Sequence, residues 1–192
     1  MADSKIVIVE GAQGAGKTTI ADYIRHAMPY TNLYRLSGTK DSSMEGFKKA
    51  TKMYVNLEKY MKTLENQSIN LLFDRTFFSE ENYCRLGYKD YSFTEVYNKL
   101  LEELSKMDFD IYYITVYLKD ESLFPSRLNR KDKAIPDFAK FATQKSIDQQ
   151  NEYLKMADEI KKKYPQIHVF ELENSKPLEE TEKEIKEILQ IK

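Results

Sequence analysis

A glycine-rich segment near the start of the chain constrains the fold more than any other feature. Residues 11–19 read GAQGAGKTT, which satisfies the pattern GxxxxGK[ST], and the apolar run Ile6–Val9 comes just before them. Helical periodicity follows at Ile20, Ala21 and Ile24. A strand, a glycine-rich loop and a helix in this order form the context in which the pattern holds phosphate groups. The sequence therefore predicts a phosphate-binding loop at the N-terminus of a helix.

The residue types of this loop suit phosphate chemistry. Small residues let consecutive backbone N–H groups curve around phosphate oxygens at a helix N-terminus. We expect the Lys17 ammonium to reach the β and γ oxygens of a nucleotide, and the Thr18 hydroxyl to ligate Mg²⁺. The predicted nucleotide-binding residues are Gly11, Gln13, Gly14, Ala15, Gly16, Lys17, Thr18 and Thr19.

Short apolar segments alternate with longer segments of helical periodicity along the rest of the chain. Strands that are apolar along their whole length are buried on both faces, as in a parallel sheet with helices on two sides. The sequence therefore predicts an α/β fold. The expected strands are Ile6–Val9, Leu33–Leu36, Ile69–Phe73, Ile111–Leu118 and Ile167–Leu172.

Length and charge narrow the class of protein. A chain of 192 residues fits one domain, over residues 1–192. Its formal net charge of -1 disfavours a nucleic-acid backbone as the main partner. No run approaches the ~18 apolar residues of a membrane span, and the single cysteine, Cys84, cannot form an internal disulfide. We predict no membrane partner and a location in the reducing cytoplasm.

An Asp-Arg pair follows the third expected strand. Ligands of open α/β sheets bind beyond the carboxyl ends of the strands, so Asp74 should face the same crevice as the phosphate loop and act as a ligand for Mg²⁺ or its waters. The planar guanidinium of Arg75 suits bidentate phosphate recognition. A surface ion pair is the other interpretation of these two residues.

A basic segment follows the fourth expected strand. Arg127 and Arg130 are one helical turn apart, within a predicted lid at about 125–137. Enzymes that transfer phosphoryl groups need cations that close over the transferred group and exclude water. A solvated basic helix end is the alternative.

Together these motifs resemble the thymidylate kinase family, within the wider group of P-loop nucleoside and nucleoside-monophosphate kinases. Residues 10–19 are similar to the family opening EGxDGxGKTT, and Tyr153–Ala157 resembles its late YLxxA helix. Arg127 and Arg130 fall in the family's lid. The most specific match is the pattern DRxxxSxxxY, on which fall Asp74, Arg75, Ser79 and Tyr83.

The resemblance implies a five-stranded parallel sheet with helices on both faces and a short lid. It also implies transfer of the γ-phosphoryl of ATP, with Mg²⁺, to a deoxynucleoside monophosphate such as dTMP or a related pyrimidine nucleotide. Arg75 would grip the acceptor phosphate, and the lid arginines would cover the donor. Lys17, Asp74 and these arginines are the predicted catalytic residues; a nucleotide is the expected partner, and a homodimer is left open.

The chain departs from the family pattern at several positions. Gln13 replaces the loop Asp, and Arg35–Thr39 only echoes the family's RExGG stretch. The arginine that the family directs at the thymine base has no counterpart, and we expect Asn56 to replace it. A tyrosine-rich insert over residues 85–93 could reshape the acceptor pocket. The predicted acceptor-binding residues are Arg35, Asn56, Arg75, Ser79 and Tyr83.

Other functions remain open at this point. A deoxynucleoside kinase would need a carboxylate base for its uncharged hydroxyl acceptor, and Asp41 and Glu45 are available. A phosphate acceptor is already ionised and needs cations instead, which favours Arg35 and Arg75. A kinase acting on a modified base or an end in DNA, and a regulatory nucleotide-binding module without turnover, are the remaining alternatives.

Overall fold

The computed structural model describes residues 4–129 and 143–191, in which strands and helices alternate along the chain. The strands are β1 (Lys5–Gly11), β2 (Thr31–Arg35), β3 (Asn70–Asp74), β4 (Asp110–Tyr117) and β5 (His168–Glu173). The first helices are α1 (Lys17–Ala27), α2 (Met44–Thr63), α3 (Phe77–Arg85) and α4 (Thr94–Ser105). A 3₁₀ turn at Glu121–Leu123 leads into α5 (Phe124–Leu128), and the remaining helices are α6 (Thr143–Lys163) and α7 (Leu178–Leu189).

All five strands are parallel, in the spatial order β2-β3-β1-β4-β5, which confirms the predicted sheet. Each predicted strand is present within a few residues of its expected limits. β2 begins before its expected limit, at Thr31, and ends before Leu36. Only the middle of this edge strand carries the apolar signal, since its residues are less buried than those of β1.

Alternate residues of the central strands face two separate hydrophobic cores. In β1, Ile6 and Ile8 belong to a core built with α2, α4 and α6, whereas Val7 and Val9 belong to a core built with α1 and α7. Helices therefore cover both faces of the sheet, which is why each strand is apolar along its length.

The order of the strands decides what lies beside the phosphate loop. β1 is central, and it pairs with β3 on one side and with β4 on the other. Val9 lies opposite Asp74, and Gly11 lies opposite Val116. The carboxyl ends of β1, β3 and β4 consequently meet at one edge, where ligands of such sheets bind.

The predicted lid lies mostly beyond the described residues. Residues 124–128 form α5, whose Phe124 and Leu128 pack with Ala12 of the phosphate loop. Arg130 and positions 131–137 fall in the gap between the two described ranges. Within those ranges, no helix combines the length and the apolar character of a membrane-spanning segment.

Glu58 gives a testable pH dependence of stability. It lies on α2, its Oε1 is buried with no hydrogen-bond partner among the described residues, and burial raises its pKa from 4.5 to about 7. Between these two pH values the folded protein binds more protons at Glu58 than the unfolded chain does. Stability should therefore fall as pH rises through this window.

We expect Glu58→Gln to lose less stability than the parent protein between pH 5 and pH 8. Because the side chain is partly exposed, the gain at pH 8 should be modest, about 1 to 2 °C in Tm. Thermal unfolding at several pH values measures this. Glu95→Gln, which alters an exposed carboxylate paired with Lys99, is the control that should follow the parent profile. The prediction would be contradicted if Tm changed with pH by the same amount in Glu58→Gln and in the parent.

Candidate active site

The predicted phosphate loop connects β1 to α1, and Gly16 caps the helix in a left-handed conformation with φ of 97°. A Cβ at Gly16 would overlap the Asn174 side chain, so this position requires glycine for space as well as for backbone conformation. The Lys17 side chain is buried along the loop, and its Nζ donates to the Ala12 carbonyl at 2.8 Å. The N–H groups at the start of α1 and a lysine ammonium thus lie together, which suits a chain of phosphates.

Arg127, which the sequence analysis assigns to the lid, lies beside this loop. Its Nη1 donates to the Ala15 carbonyl at 3.2 Å, and its Nη2 donates to the Asn174 carbonyl at 2.6 Å. Asn174 follows β5, and its Nδ2 donates to the same Ala15 carbonyl at 2.8 Å. Sequence analysis missed Asn174, because nothing in its own neighbourhood signals that β5 ends beside the loop.

Thr18 and Asp74 meet at the carboxyl ends of β1 and β3. The Thr18 hydroxyl donates to Asp74 Oδ2 at 3.1 Å, and the Asp74 side chain is almost completely buried. Arg35 Nε lies 3.7 Å from the same oxygen, while Arg35 Nη2 donates to Asp22. The surface ion pair considered for Asp74 and Arg75 is therefore not what the structure shows: Asp74 faces inward.

The Thr18 and Asp74 oxygens fit a Mg²⁺ ion. Mg²⁺ in such sites takes one or two protein oxygens and completes its coordination with phosphate oxygens and water. A hydroxyl and a carboxylate in direct contact beside the phosphate loop provide this donor set. The described residues hold no cluster of three or more His, Cys, Asp or Glu side chains suited to a metal, so a nucleotide phosphate would have to supply the remaining ligands.

Arg75 lies in a backbone turn that residues with a Cβ rarely adopt. Its φ is 75°, and its N–H donates to the Val9 carbonyl at 3.2 Å. Its Nη1 lies 3.4 Å from the Tyr83 hydroxyl. The turn directs the guanidinium into the cavity instead of along the sheet.

A cavity of about 840 Å³ extends from the phosphate loop across the ends of β2 and β3 to α6. It brings together most of the predicted acceptor residues, which the sequence separates by up to about fifty positions. The predicted residues that line it are Gln13, Thr18, Arg35, Asp74, Arg75, Ser79 and Tyr83.

Three predicted polar residues lie elsewhere. Asn56 is exposed on α2 and does not line the cavity, although Tyr54 of the same helix does. Asp41 and Glu45 lie at the start of α2, where Asp41 accepts hydrogen bonds from Ser43 that lower the pKa of its carboxyl. Neither carboxylate lines the cavity, so the base proposed for a nucleoside acceptor is not placed to act there.

The tyrosine-rich insert forms one wall of the cavity, as the sequence suggested. Tyr88 and Lys89 line it, and the buried Tyr91 donates its hydroxyl proton to Glu80 Oε1. Lys89 Nζ lies 3.7 Å from Glu80 Oε1 and donates to the Thr39 carbonyl. Sequence analysis missed Glu80 and Lys89, since an acidic residue on a short helix and a lysine in a loop are ordinary surface features.

The opposite wall is α6. Gln149 Oε1 accepts a hydrogen bond from the Gln13 N–H at 3.1 Å and so fixes this residue of the phosphate loop. Lys145 lines the cavity, and its Nζ lies 5.6 Å from the centroid of the Tyr88 ring. Both residues lie on α6, and the packing of this helix against the rest of the fold places them at the cavity.

Burial sets the ionisation of two groups near the site. It raises the pKa of Glu10 to about 7, although hydrogen bonds from Ser79 and Thr76 act in the opposite direction. It raises the pKa of the Cys84 thiol to about 12, so this thiol stays protonated at neutral pH and is a poor nucleophile.

Comparison with solved structures shows that the chain has the fold of P-loop kinases. A thymidylate kinase from Candida albicans superimposes with a TM-score of 0.70 at 17% identity, over 99% of this chain and 92% of that one. A deoxyadenosine kinase from M. mycoides gives 0.61 at 16% identity, over 96% and 98%. A polyphosphate kinase 2 from Arthrobacter aurescens gives 0.68 at 15% identity, over 97% and 66%.

Comparison by sequence gives no further assignment. The chain matches neither a model of a known protein family nor a curated protein. The likeness is therefore one of fold, and the chemistry has to be argued from the site.

Proposed function

We propose that the protein transfers the γ-phosphoryl group of ATP to the phosphate of a deoxynucleoside monophosphate, dTMP or a related pyrimidine nucleotide. The observation that carries this proposal is the charge of the cavity beside the phosphate loop. Among the described residues, five cationic side chains and two carboxylates line it. The cations are Arg35, Lys40, Arg75, Lys89 and Lys145.

Neither carboxylate of this cavity is placed as a ready general base. Asp74 accepts a hydrogen bond from the Thr18 hydroxyl and is suited to bind Mg²⁺. Glu80 accepts a hydrogen bond from the Tyr91 hydroxyl. An acceptor hydroxyl needs a base, whereas an acceptor phosphate is already ionised and needs positive charge. The lining therefore favours a phosphate acceptor over an uncharged nucleoside.

The donor side follows from the loop. The α1 N-terminus and Lys17 would hold the ATP phosphates, with Thr18 and Asp74 as the protein ligands of Mg²⁺. When bound, Mg²⁺ would neutralise part of the charge on the phosphates. Arg127 lies next to the loop and would stabilise charge at the donor, and Arg130 remains a predicted second cation of the lid.

The acceptor side would be organised by Arg75. Its guanidinium faces the cavity between the phosphate loop and the insert wall, where it can hold an acceptor phosphate in line with the donor. The tyrosines of the cavity offer faces on which a base can stack. The tyrosines that line the cavity are Tyr54, Tyr83 and Tyr88.

A deoxynucleoside kinase is the second candidate, and Glu80 is the observation that favours it. Glu80 is a buried carboxylate lining the cavity, and one of the similar folds is a deoxyadenosine kinase described with dCMP and dCDP. In this case Glu80 would replace Asp41 or Glu45 as the base to test.

A panel of deoxynucleosides and their monophosphates, assayed with ATP and Mg²⁺ by separation of the phosphorylated products, tests the proposal. We expect turnover on one or more monophosphates and far less on the parent nucleosides. Turnover on a nucleoside alone would select the second candidate, and absence of turnover on every acceptor would favour a regulatory nucleotide-binding protein.

Replacing Arg127 with alanine tests the assignment of the donor side. Because Arg127 lies on the phosphate loop, we expect kcat to fall by about tenfold or more, with the acceptor KM changed by less than about threefold. Steady-state kinetics with each substrate varied in turn measures both. Arg25→Ala, on the exposed side of α1, is the matched control. A variant in which only the acceptor KM rises would move Arg127 to the acceptor site.

A further inference from the structure

Glu10 is a completely buried carboxylate that the proposed reaction does not use directly. It lies in β1, one residue before Gly11, at the point where the strand enters the phosphate loop. A carboxylate in such surroundings is unfavourable unless its oxygens accept hydrogen bonds. Its partners therefore indicate what it holds.

Hydrogen bonds to both oxygens of the Glu10 side chain come from the segment just after Arg75. Oε1 accepts from the Thr76 N–H at 2.7 Å and from the Thr76 hydroxyl at 3.3 Å. Oε2 accepts from the Ser79 hydroxyl at 2.7 Å, and Ser79 in turn accepts from the Tyr153 hydroxyl of α6 at 2.9 Å. Both oxygens of one side chain thus bind the start of α3.

This arrangement encloses the left-handed turn at Arg75. On one side, the Arg75 N–H donates to Val9; on the other, the Thr76 N–H donates to Glu10, the next residue of β1. A left-handed φ in a residue with a Cβ persists only where the surroundings hold it. The two consecutive residues of β1 provide that restraint.

The Glu10 charge also acts on the same groups. Although burial raises the pKa of Glu10 overall, the positive charges of Arg75 and Lys17 act to lower it, so both cations lie near enough to interact with this carboxyl. The Arg75 side chain is half-buried, and its Nη1 lies 3.4 Å from the Tyr83 hydroxyl.

We infer that Glu10 is a positioning residue, which holds the Arg75 turn and so sets where the guanidinium meets the acceptor phosphate. The inference rests on the proposed function, because it assumes a phosphate on the acceptor. Glu10 itself does not touch the substrate. Its effect should appear in acceptor binding and be transmitted only through Arg75.

Glu10→Gln keeps the size of the side chain but replaces one acceptor oxygen with an amide donor. We expect the acceptor KM to rise about tenfold and the ATP KM to change by less than about twofold, since a displaced guanidinium weakens acceptor positioning. Calorimetric binding of the monophosphate without ATP should weaken by a similar factor. Replacing a residue with only a structural role would lower Tm and leave the ratio of the acceptor KM to the ATP KM unchanged.

A double-mutant cycle tests whether Glu10 acts through Arg75. In the Arg75→Ala background, Glu10→Gln should change kcat/KM by less than about twofold, because the group that it positions is already absent. Equal effects of Glu10→Gln in both backgrounds would overturn the inference.

Glu81→Gln is the matched control, since Glu81 is an equally buried carboxylate of α3 that binds Arg85 and Thr94 instead of the Arg75 turn. Glu81→Gln should lower Tm, and its acceptor KM should equal that of the parent. If Glu10→Gln does not fold, Ser79→Ala removes the hydrogen bond to Oε2 together with the acceptor of the Tyr153 hydroxyl. It should raise the acceptor KM about threefold, and by less than that in the Arg75→Ala background.

The parent protein separates the two proposals. If the parent neither binds nor phosphorylates a monophosphate, the proposed function fails and this inference fails with it. If the parent phosphorylates a monophosphate and Glu10→Gln has the same acceptor KM, the inference alone is overturned.

Discussion

Replacing Lys17 with alanine should lower kcat by about 10² to 10³, or roughly 3 kcal/mol of transition-state stabilisation. The Lys17 ammonium is buried along the phosphate loop and bonded to the Ala12 carbonyl, so it is already placed where charge develops on the transferred group. A charge that needs no reorganisation contributes more in a water-poor site than a mobile surface cation does. Kinetics at saturating ATP and acceptor, with circular dichroism to show that the fold is kept, measures the effect.

Lys99→Ala is the control for the loss of a lysine, because Lys99 lies on the exposed surface of α4 and pairs with Glu95. Its kinetics should equal those of the parent. If Lys17→Ala turned over within about threefold of the parent while remaining folded, phosphoryl transfer at this loop would be contradicted.

The architecture could be predicted from sequence because its signals are local. Each strand is a short apolar run, and the glycine loop places β1 and α1 next to each other without reference to the rest of the chain. Asp74 could be added because strands of a parallel sheet end at one edge. The structure brings it to Thr18, fifty-six positions away in sequence, as this argument requires.

The acceptor wall could not be predicted in the same way, because it depends on how helices dock. Gln149 and Lys145 reach the cavity only because α6 packs beside α3, and Glu80 matters only because the insert covers it. Asn56 shows the same limitation in reverse. A helix turns about 100° per residue, so Asn56, two positions after Tyr54, lies on nearly the opposite side of α2. Tyr54 therefore lines the cavity, whereas Asn56 is exposed.

The signal that sequence analysis could have used for Glu10 was its place in the motif. Glu10 opens the loop motif, and an acidic residue at the end of a buried strand requires partners. Its partners lie sixty-six and sixty-nine positions further along the chain. The pairing of β1 with β3 brings them together, and that pairing is a property of the sheet order.

Replacing Arg75 with alanine should cost about 2 to 5 kcal/mol in kcat/KM for a monophosphate, since it leaves an acceptor phosphate without its partner in a partly desolvated cavity. Arg75→Lys should recover only part of this loss, because an ammonium lacks the bidentate fork. Tyr83→Phe, which removes only the hydroxyl near Arg75 Nη1, should have a much smaller effect. Kinetics with the monophosphate and the ATP concentration varied separately measures each variant.

The same assay decides between the two candidate reactions when dTMP and thymidine are compared side by side. If Arg75 binds a substrate phosphate, the parent should strongly prefer dTMP or a related monophosphate, and Arg75→Ala should narrow that preference because its effect falls on the phosphate alone. A parent that prefers the nucleoside would eliminate the monophosphate kinase. Glu80 would then be the carboxylate to replace, since Asp41 and Glu45 lie outside the cavity in which an acceptor hydroxyl would have to be deprotonated.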